Sequence, residues 1–236
     1  MNILLFEKAE LAADRTLRLT GARLDHLRNV LKPSAGDQVR VGMINGHRGL
    51  AEIIEIGEEA ATLAVNLTSP PLARHPATLV LALPRPKMLR RILRSCAEFG
   101  VGDIHIINSY RVEKSFWQSP LLHTDRLRQA LLAGLERSGN TQLPNVYSHR
   151  RFKPFIEDRL KEVAGANPIY VAHPGSHPML AAPHRAAHLI LIGPEGGFIP
   201  YEIELIQDHG GQARSLGDHI LSVDTAVPAA LARGLS

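Results

Sequence analysis

The chain has 236 residues, 44% hydrophobic and 21% charged, with a formal net charge of +4. No apolar run approaches the roughly 20 residues that a helical membrane span requires, and Met1-Asn2-Ile3-Leu4-Leu5-Phe6-Glu7-Lys8 lacks the basic, apolar and small-residue regions of a signal peptide. A cytoplasmic protein with no membrane partner is expected, and the single cysteine, Cys96, excludes an internal disulfide and a cysteine-rich metal site.

Short apolar stretches at 38–41, 50–56 and 61–67, separated by the turn signals Gly36-Asp37 and Asn45-Gly46, predict a small antiparallel sheet or barrel. Residues 25–31 predict a short helix, and Asn45-Gly46 is a favoured hairpin dipeptide because both positions tolerate positive φ. The proline-rich segment 69–76 then breaks the pattern, because proline removes backbone donors and biases its predecessor toward extended geometry. A domain boundary is expected there, giving domains 1–70 and 75–236. Beyond it, predicted strands 78–83, 103–108, 168–172, 189–192 and 212–216 alternate with helices 87–99, 124–138, 155–161, 201–209 and 223–233. Such alternation predicts an α/β domain with a mostly parallel sheet covered by helices.

Within 87–99, Leu89, Ile92, Leu93 and Cys96 recur at helical spacing and predict one buried stripe. Lys87, Arg90, Arg91 and Arg94 repeat on another face, with no acid before Glu98 for i,i+4 pairing. Together with Arg85 they form a phosphate-contacting candidate, against the plainer reading of a solvated face. Arg126, Arg128 and Arg137 add to the same field if their helix is a neighbour, and His149-Arg150-Arg151-Phe152-Lys153 is a second basic cluster.

Two glycine-bearing loops close predicted strands: Gly193-Pro194-Glu195-Gly196-Gly197-Phe198, and Leu216-Gly217-Asp218-His219-Ile220-Leu221 ahead of the last helix. Missing Cβ atoms let a ligand approach bare backbone, and in parallel sheets ligands sit at the carboxyl ends of the strands. Glu195 disfavours a phosphate there and suits a ligand with a cationic centre. His173, at another strand end, falls near the same place. Glu195, Asp218, His219 and Asp224 are the ionisable groups available to orient a substrate or take a proton. Asp224 and Ser222 serve equally well as caps of the final helix, within which Pro228 fits a first-turn position. Among twelve histidines, His184 and His188 have i,i+4 spacing, but without an intervening glutamate and with Pro183 adjacent they do not read as a metal site. Walker, Gly-x-Ser-x-Gly and Gly-x-Gly-x-x-Gly motifs are absent from the sequence.

These motifs resemble the ribosomal small-subunit methyltransferase E family, the 16S rRNA uridine N3-methyltransferases of the SPOUT superfamily. His26 with Val30-Leu31-Lys32 and Gly36-Asp37 resembles that family's PUA-like RNA-binding barrel. Ala97-Glu98-Phe99-Gly100-Val101, Arg111 and Arg126 resemble its middle segment. Ile192-Gly193-Pro194-Glu195-Gly196-Gly197-Phe198, Leu216-Gly217, Ile220-Leu221 and Thr225-Ala226 resemble its cofactor loops. The resemblance implies a PUA-like domain joined to a SPOUT domain with a trefoil knot, in a homodimer acting on 16S rRNA or the small ribosomal subunit. It implies S-adenosylmethionine held by His173, Gly193, Glu195, Gly196, Gly197, Leu216, Gly217, His219, Ile220 and Leu221. Asp224, Glu195 and Arg111 are then the catalytic candidates. His26, Arg28, Lys32, Arg85, Lys87, Arg90, Arg91, Arg94, Arg126 and Arg137 are the RNA-binding ones.

The chain departs from the family pattern at His219 and Ser222, where arginines are usual, and at Asp224, where glutamate is. Ala133, Arg137 and Asn140 also differ, and Ser95 replaces a lysine. An RNA-binding relative without transfer activity, or a methyltransferase acting on another base, are the alternatives these changes raise.

Overall fold

The computed structural model describes residues 2–175, 177–181 and 186–235. The chain divides into two compact units, Met1–Ala73 with Leu132–Leu143, and Arg74–Leu131 with Pro144–Ser236. No helix among the described residues is long and apolar enough to cross a membrane.

The first unit is a curled five-stranded sheet in the order β1-β3-β4-β5-β2. Its strands are β1 (Leu4–Phe6), β2 (Thr16–Leu19), β3 (Gln38–Met43), β4 (Arg48–Ile56) and β5 (Ala61–Ser69), and α1 (Gly21–His26) continues into a π turn at Leu27–Leu31. All pairs are antiparallel except β1 with β3. Alternate residues face one core, where Leu17, Leu19, Val41, Ile53 and Leu63 meet Leu24 and Leu27 of the helical segment. That helical segment begins at Gly21 rather than at 25, because Leu24 already belongs to the buried stripe. β1 and β2 were not expected, being too short to show a period of two over background. The Asn45-Gly46 turn signal falls at the turn between β3 and β4, where Asn45 has φ +58° and Gly46 is not left-handed. Residues 44–47 separate β3 from β4, so the connection is longer than the two-residue turn that needs both positions left-handed. The Leu132–Leu143 segment is tied into this unit by the Thr141 hydroxyl, which donates to the Gly46 carbonyl at 2.7 Å.

In the second unit a six-stranded sheet runs in the order β11-β9-β10-β6-β7-β8, with every pair parallel. Its strands are β6 (Ala77–Ala82), β7 (Asp103–Ile107), β8 (Asn145–His149), β9 (Ile169–Ala172), β10 (His188–Ile192) and β11 (Gly211–Arg214). The helices are α2 (Pro86–Phe99), α3 (Thr124–Ser138), α4 (Phe152–Pro154), α5 (Leu160–Ala164), α6 (Pro200–Asp208) and α7 (Val223–Arg233), with a π turn (Phe155–Arg159) joining α4 to α5. α3 crosses the division between the units. β10 is buried along its whole length, as a strand covered on both faces must be. α2 starts on Pro86 and stops at Gly100, whose φ of +79° suits only glycine comfortably. It buries Leu89, Ile92, Leu93, Cys96 and Ala97, the stripe its spacing predicts, and packs on α7. Complete burial pushes the Cys96 thiol up to about 12, so it is no nucleophile at neutral pH.

Several expectations need revision here. β8 was missed because Asn145-Val146-Tyr147-Ser148-His149 is a mostly polar edge strand. The helix expected at 155–161 starts earlier, at Phe152, whose side chain is buried. The strand expected at 212–216 ends at Arg214, since the Ser215 hydroxyl turns the chain by accepting from the Gly217 amide at 3.1 Å. Pro228 stands inside α7, five residues beyond its first residue Val223, not in its first turn. There it removes one helical donor, a loss that tertiary packing of Val227, Ala230 and Leu231 overrides.

Gly49 sits at a bulge where β4 shifts register against β5, and a Cβ there would lie 1.9 Å from the Asn66 carbonyl oxygen. Gly49→Ala should therefore cost about 2 kcal/mol in urea denaturation, because the obstacle is backbone and cannot move aside. His105 is held by the His149 ring at 3.1 Å and stacked on Tyr147. Burial, helped by His149, pushes it down from 6.5 to about 4. A depressed histidine keeps its stabilising contribution above pH 6.5 and loses it as acid protonates the unfolded chain first. Denaturation between pH 6.5 and 4 should show a loss of about 3 kcal/mol from this residue, and His105→Phe should flatten that slope.

Candidate active site at the carboxyl edge of the parallel sheet

Parallel pairing places the loops that leave β9, β10 and β11 on one edge, and between them they enclose a cleft of about 660 Å³, its mouth included. Ala172, His173 and Pro174 come from the first loop, Ile192 to Glu195 with Gly197 and Phe198 from the second, and Ser215 to Gly217 with His219 to Leu221 from the third. Val223 and Ala226 of α7 complete the wall. The neighbours β10 and β6 lead their crossovers in opposite directions, so the cleft lies beside the switch point where such sheets bind ligands.

The glycines have distinct reasons. Gly197 and Gly217 have φ of +74° and +135°, and no heavy atom lies within 4 Å of a Cβ built on either. Their main chain thus faces open space with nothing of the protein in front of it. At Gly193 a Cβ would press on Phe198 at 3.2 Å, so glycine lets this ring close the floor. Of the ten residues expected around a cofactor, nine line the cleft: His173, Gly193, Glu195, Gly197, Leu216, Gly217, His219, Ile220 and Leu221. Gly196 lies between two of them and instead receives the Arg111 guanidinium on its carbonyl. Burial, then the neighbouring His177, lowers His173 and keeps it neutral.

The three candidate catalytic side chains have separate anchors. Glu195 is exposed at the wall, and its Oε1 accepts the Arg85 amide at 3.1 Å. Arg111 lays its aliphatic stem along Gly196. Asp224 does not itself line the cleft, although Val223 and Ala226 beside it do. Its Oδ1 accepts the Ser222 hydroxyl at 2.7 Å and its Oδ2 faces Arg91 at 3.5 Å. The Ser222 hydrogen bond first, then Arg91, hold this carboxyl below the ordinary aspartate range. Ser222 is the residue that opens α7, yet its side chain makes no capping bond to the helix amides. The hydroxyl serves Asp224 and Thr225 instead.

Glu202 is a site residue that no sequence motif points to. This carboxylate is 2% exposed on α6 and collects three donors: the Tyr110 amide at 2.8 Å, the Ser109 hydroxyl at 3.1 Å and the Ile199 amide at 3.0 Å. It thereby clamps the loop after β7 to the start of α6, and with it Arg111 at the rim of the cleft.

The basic candidates separate between the units. Lys87, Arg90 and Arg91 are exposed on α2 and Arg94 is half-buried, with its Nε lacking a partner among the described residues. Arg85 and Arg126 are exposed in the same unit, the latter donating to the Gln129 side chain at 3.3 Å. His26, Arg28, Lys32 and Arg137 belong to the first unit. Arg28 donates to the Glu58 carbonyl at 3.2 Å, Lys32 takes φ +49°, and the buried Nε2 of His26 has no hydrogen-bond partner among the described residues. His184 lies outside the described residues, and no cluster of three or more potential metal ligands occurs among those described.

Comparison with known proteins agrees along the whole chain. Residues 71–234 match the family model of an RNA methyltransferase domain, and residues 19–66 that of an RNA methyltransferase PUA domain. Ribosomal RNA small subunit methyltransferase E of Treponema pallidum is 31% identical over 98% of this chain and 90% of its own. The protein of that name from Synechocystis is 29% identical over 93% of this chain and 73% of its own. The fold is also that of a ribosomal RNA small subunit methyltransferase E from Neisseria gonorrhoeae, solved bound to S-adenosyl methionine, with a TM-score of 0.78 at 21% identity over 98% of this chain and 95% of that one. With its two domain matches and a relative above 30% identity along nearly its full length, the chain belongs to the ribosomal RNA small subunit methyltransferase E family.

Proposed function

We propose that the chain transfers a methyl group from S-adenosylmethionine to N3 of a uridine in the 16S rRNA of the small ribosomal subunit, acting as a cytoplasmic homodimer. The observation that carries this reading is the backbone-lined cleft at the carboxyl edge of the sheet in a chain of this family. Its fit to the cofactor is chemical. Gly197 and Gly217 offer unobstructed main chain to an adenosine's hydrogen-bonding edges, Phe198 and Leu221 offer apolar surface, and the Glu195 carboxylate complements a cationic sulfur. The bound cofactor supplies an electrophilic methyl on that sulfur.

The rest falls to the chain's own groups. His173, Gly193, Glu195, Gly196, Gly197, Leu216, Gly217, His219, Ile220 and Leu221 hold the cofactor, mainly through backbone. Uridine N3 must lose its proton before it can attack, and Glu195 is the acceptor: Oε1 is taken by the Arg85 amide, so the proton goes to Oε2. Arg111, held at the rim by the Gly196 carbonyl, stabilises the negative charge that develops on the pyrimidine. Asp224, kept ionised by Ser222 and Arg91, acts by orienting Arg91 on the basic face of α2. That face, with Arg85, Lys87, Arg90, Arg94 and Arg126, contacts phosphates. His26, Arg28 and Lys32 do the same from the PUA domain and Arg137 from the end of α3, so affinity should fall with salt.

Calorimetry should show saturable binding of S-adenosylmethionine to the wild type. Gly217→Val, which puts a branched side chain at φ +135°, should weaken it by at least about tenfold while leaving the far-UV circular dichroism unchanged. Mass mapping of 16S rRNA from a deletion strain should regain a methyl on uridine N3 after complementation. Restored methylation of another base would overturn the target, and no heat with the cofactor would favour a non-catalytic RNA-binding protein. Glu195→Gln should lower kcat far more than cofactor affinity, with its pH profile losing the acidic limb.

A further inference from the structure

The loop leaving β7 carries a feature that cofactor binding does not use. Tyr110 is 78% exposed, yet the backbone beneath it is anchored, since its amide and the Ser109 hydroxyl both end on the buried Glu202 carboxylate. An exposed aromatic ring on an anchored backbone offers a face on which a planar partner can stack. The next residue, Arg111, reaches the Gly196 carbonyl, so the ring stands one residue from the rim of the cleft.

A second aromatic lies on the same loop. Trp117 spends its indole N–H on the Asn108 side chain at 2.9 Å, and the Asn108 amide in turn donates to the His149 carbonyl at 3.0 Å at the end of β8. Arg150, which follows, sets its guanidinium over the Trp117 ring at 5.4 Å. Arg151 and Lys153 continue the basic cluster on the surface, and Lys153 shares its charge with Glu157 at 3.5 Å. Glu113 is the single acid between residues 108 and 123, among Arg111 and Lys114. Aromatic faces interleaved with cations suit unpaired nucleotides, whose bases stack while their phosphates find positive charge.

We infer that the loop after β7 and the turn after β8 form a stacking platform for unpaired bases flanking the target nucleotide, with Tyr110 and the Arg150-faced Trp117 as its aromatic surfaces. The inference rests on the RNA methyltransferase reading and names how that site would hold its RNA. Glu202 is a positioning residue in this arrangement, acting through the backbone of Tyr110.

Trp117 is the chain's one tryptophan, so its emission reports on the platform directly. Titrating the full-length protein with a single-stranded oligouridylate of about 12 nucleotides should quench that emission saturably. Tyr110→Ala should weaken oligonucleotide binding about tenfold, and Tyr110→Phe should restore it, with S-adenosylmethionine affinity by calorimetry the same in all three proteins. Unchanged oligonucleotide affinity in Tyr110→Ala, or binding that leaves Trp117 emission unaltered, would overturn the platform and leave the methyltransferase reading standing. So would a wild type that takes the cofactor but not the oligonucleotide. A drop in mass by light scattering for Tyr110→Ala would show that a second copy of the chain covers the ring, which also overturns it. A wild type that binds neither cofactor nor oligonucleotide would remove both readings.

Discussion

Parallel pairing of six strands is the constraint from which the rest of the catalytic unit follows. Because β10 lies in register between β9 and β6, with Ile190 opposite both Tyr170 and Leu79, the strands must end together on one side. Every loop that leaves a carboxyl end is delivered to that edge regardless of its distance in sequence. Residues 172–174, 192–195, 197–198, 215–217 and 219–221 share a wall for this reason, and the loops after β7 and β8 lie along the same edge. The cost of parallel pairing is a crossover between each strand and the next, and β10 is buried along its whole length as a covered strand must be.

Charge at the cleft is organised by restraint more than by quantity. Glu195, Asp224 and Glu202 are three carboxylates with three different sets of donors: a backbone amide, a hydroxyl with an arginine, and a buried trio of two amides and a hydroxyl. Among the described residues only the first keeps an oxygen uncommitted, and it stands at the cleft wall. Such division lets acidic groups sit near one another's chemistry without competing for the same proton.

Much of this was legible beforehand. The period of 3.6 in 87–99 and the limits of the last helix survive into the structure, because a long amphipathic pattern leaves tertiary packing little to override. The glycine loops were readable for a similar reason: glycine beside an apolar run marks backbone that needs freedom. What escaped was short or non-local. β8 has too few apolar residues to announce a strand, and the Pro228 position follows from burial of its neighbours rather than from proline's own preference. Glu202 is not singled out by any local pattern, since the donors at Ser109 and Tyr110 lie more than ninety residues away in sequence. The Arg91 to Asp224 contact was likewise invisible until α2 and α7 were seen packed together.

The buried Cys96 has a practical side. A thiol shut inside the helix layer and reluctant to ionise is silent toward maleimides and disulfide reagents at neutral pH. The native sequence therefore behaves as its own cysteine-free background. A thiol introduced anywhere on the surface could carry a dye, a spin label or a crosslinker as the sole point of attachment, with no prior mutation of the fold.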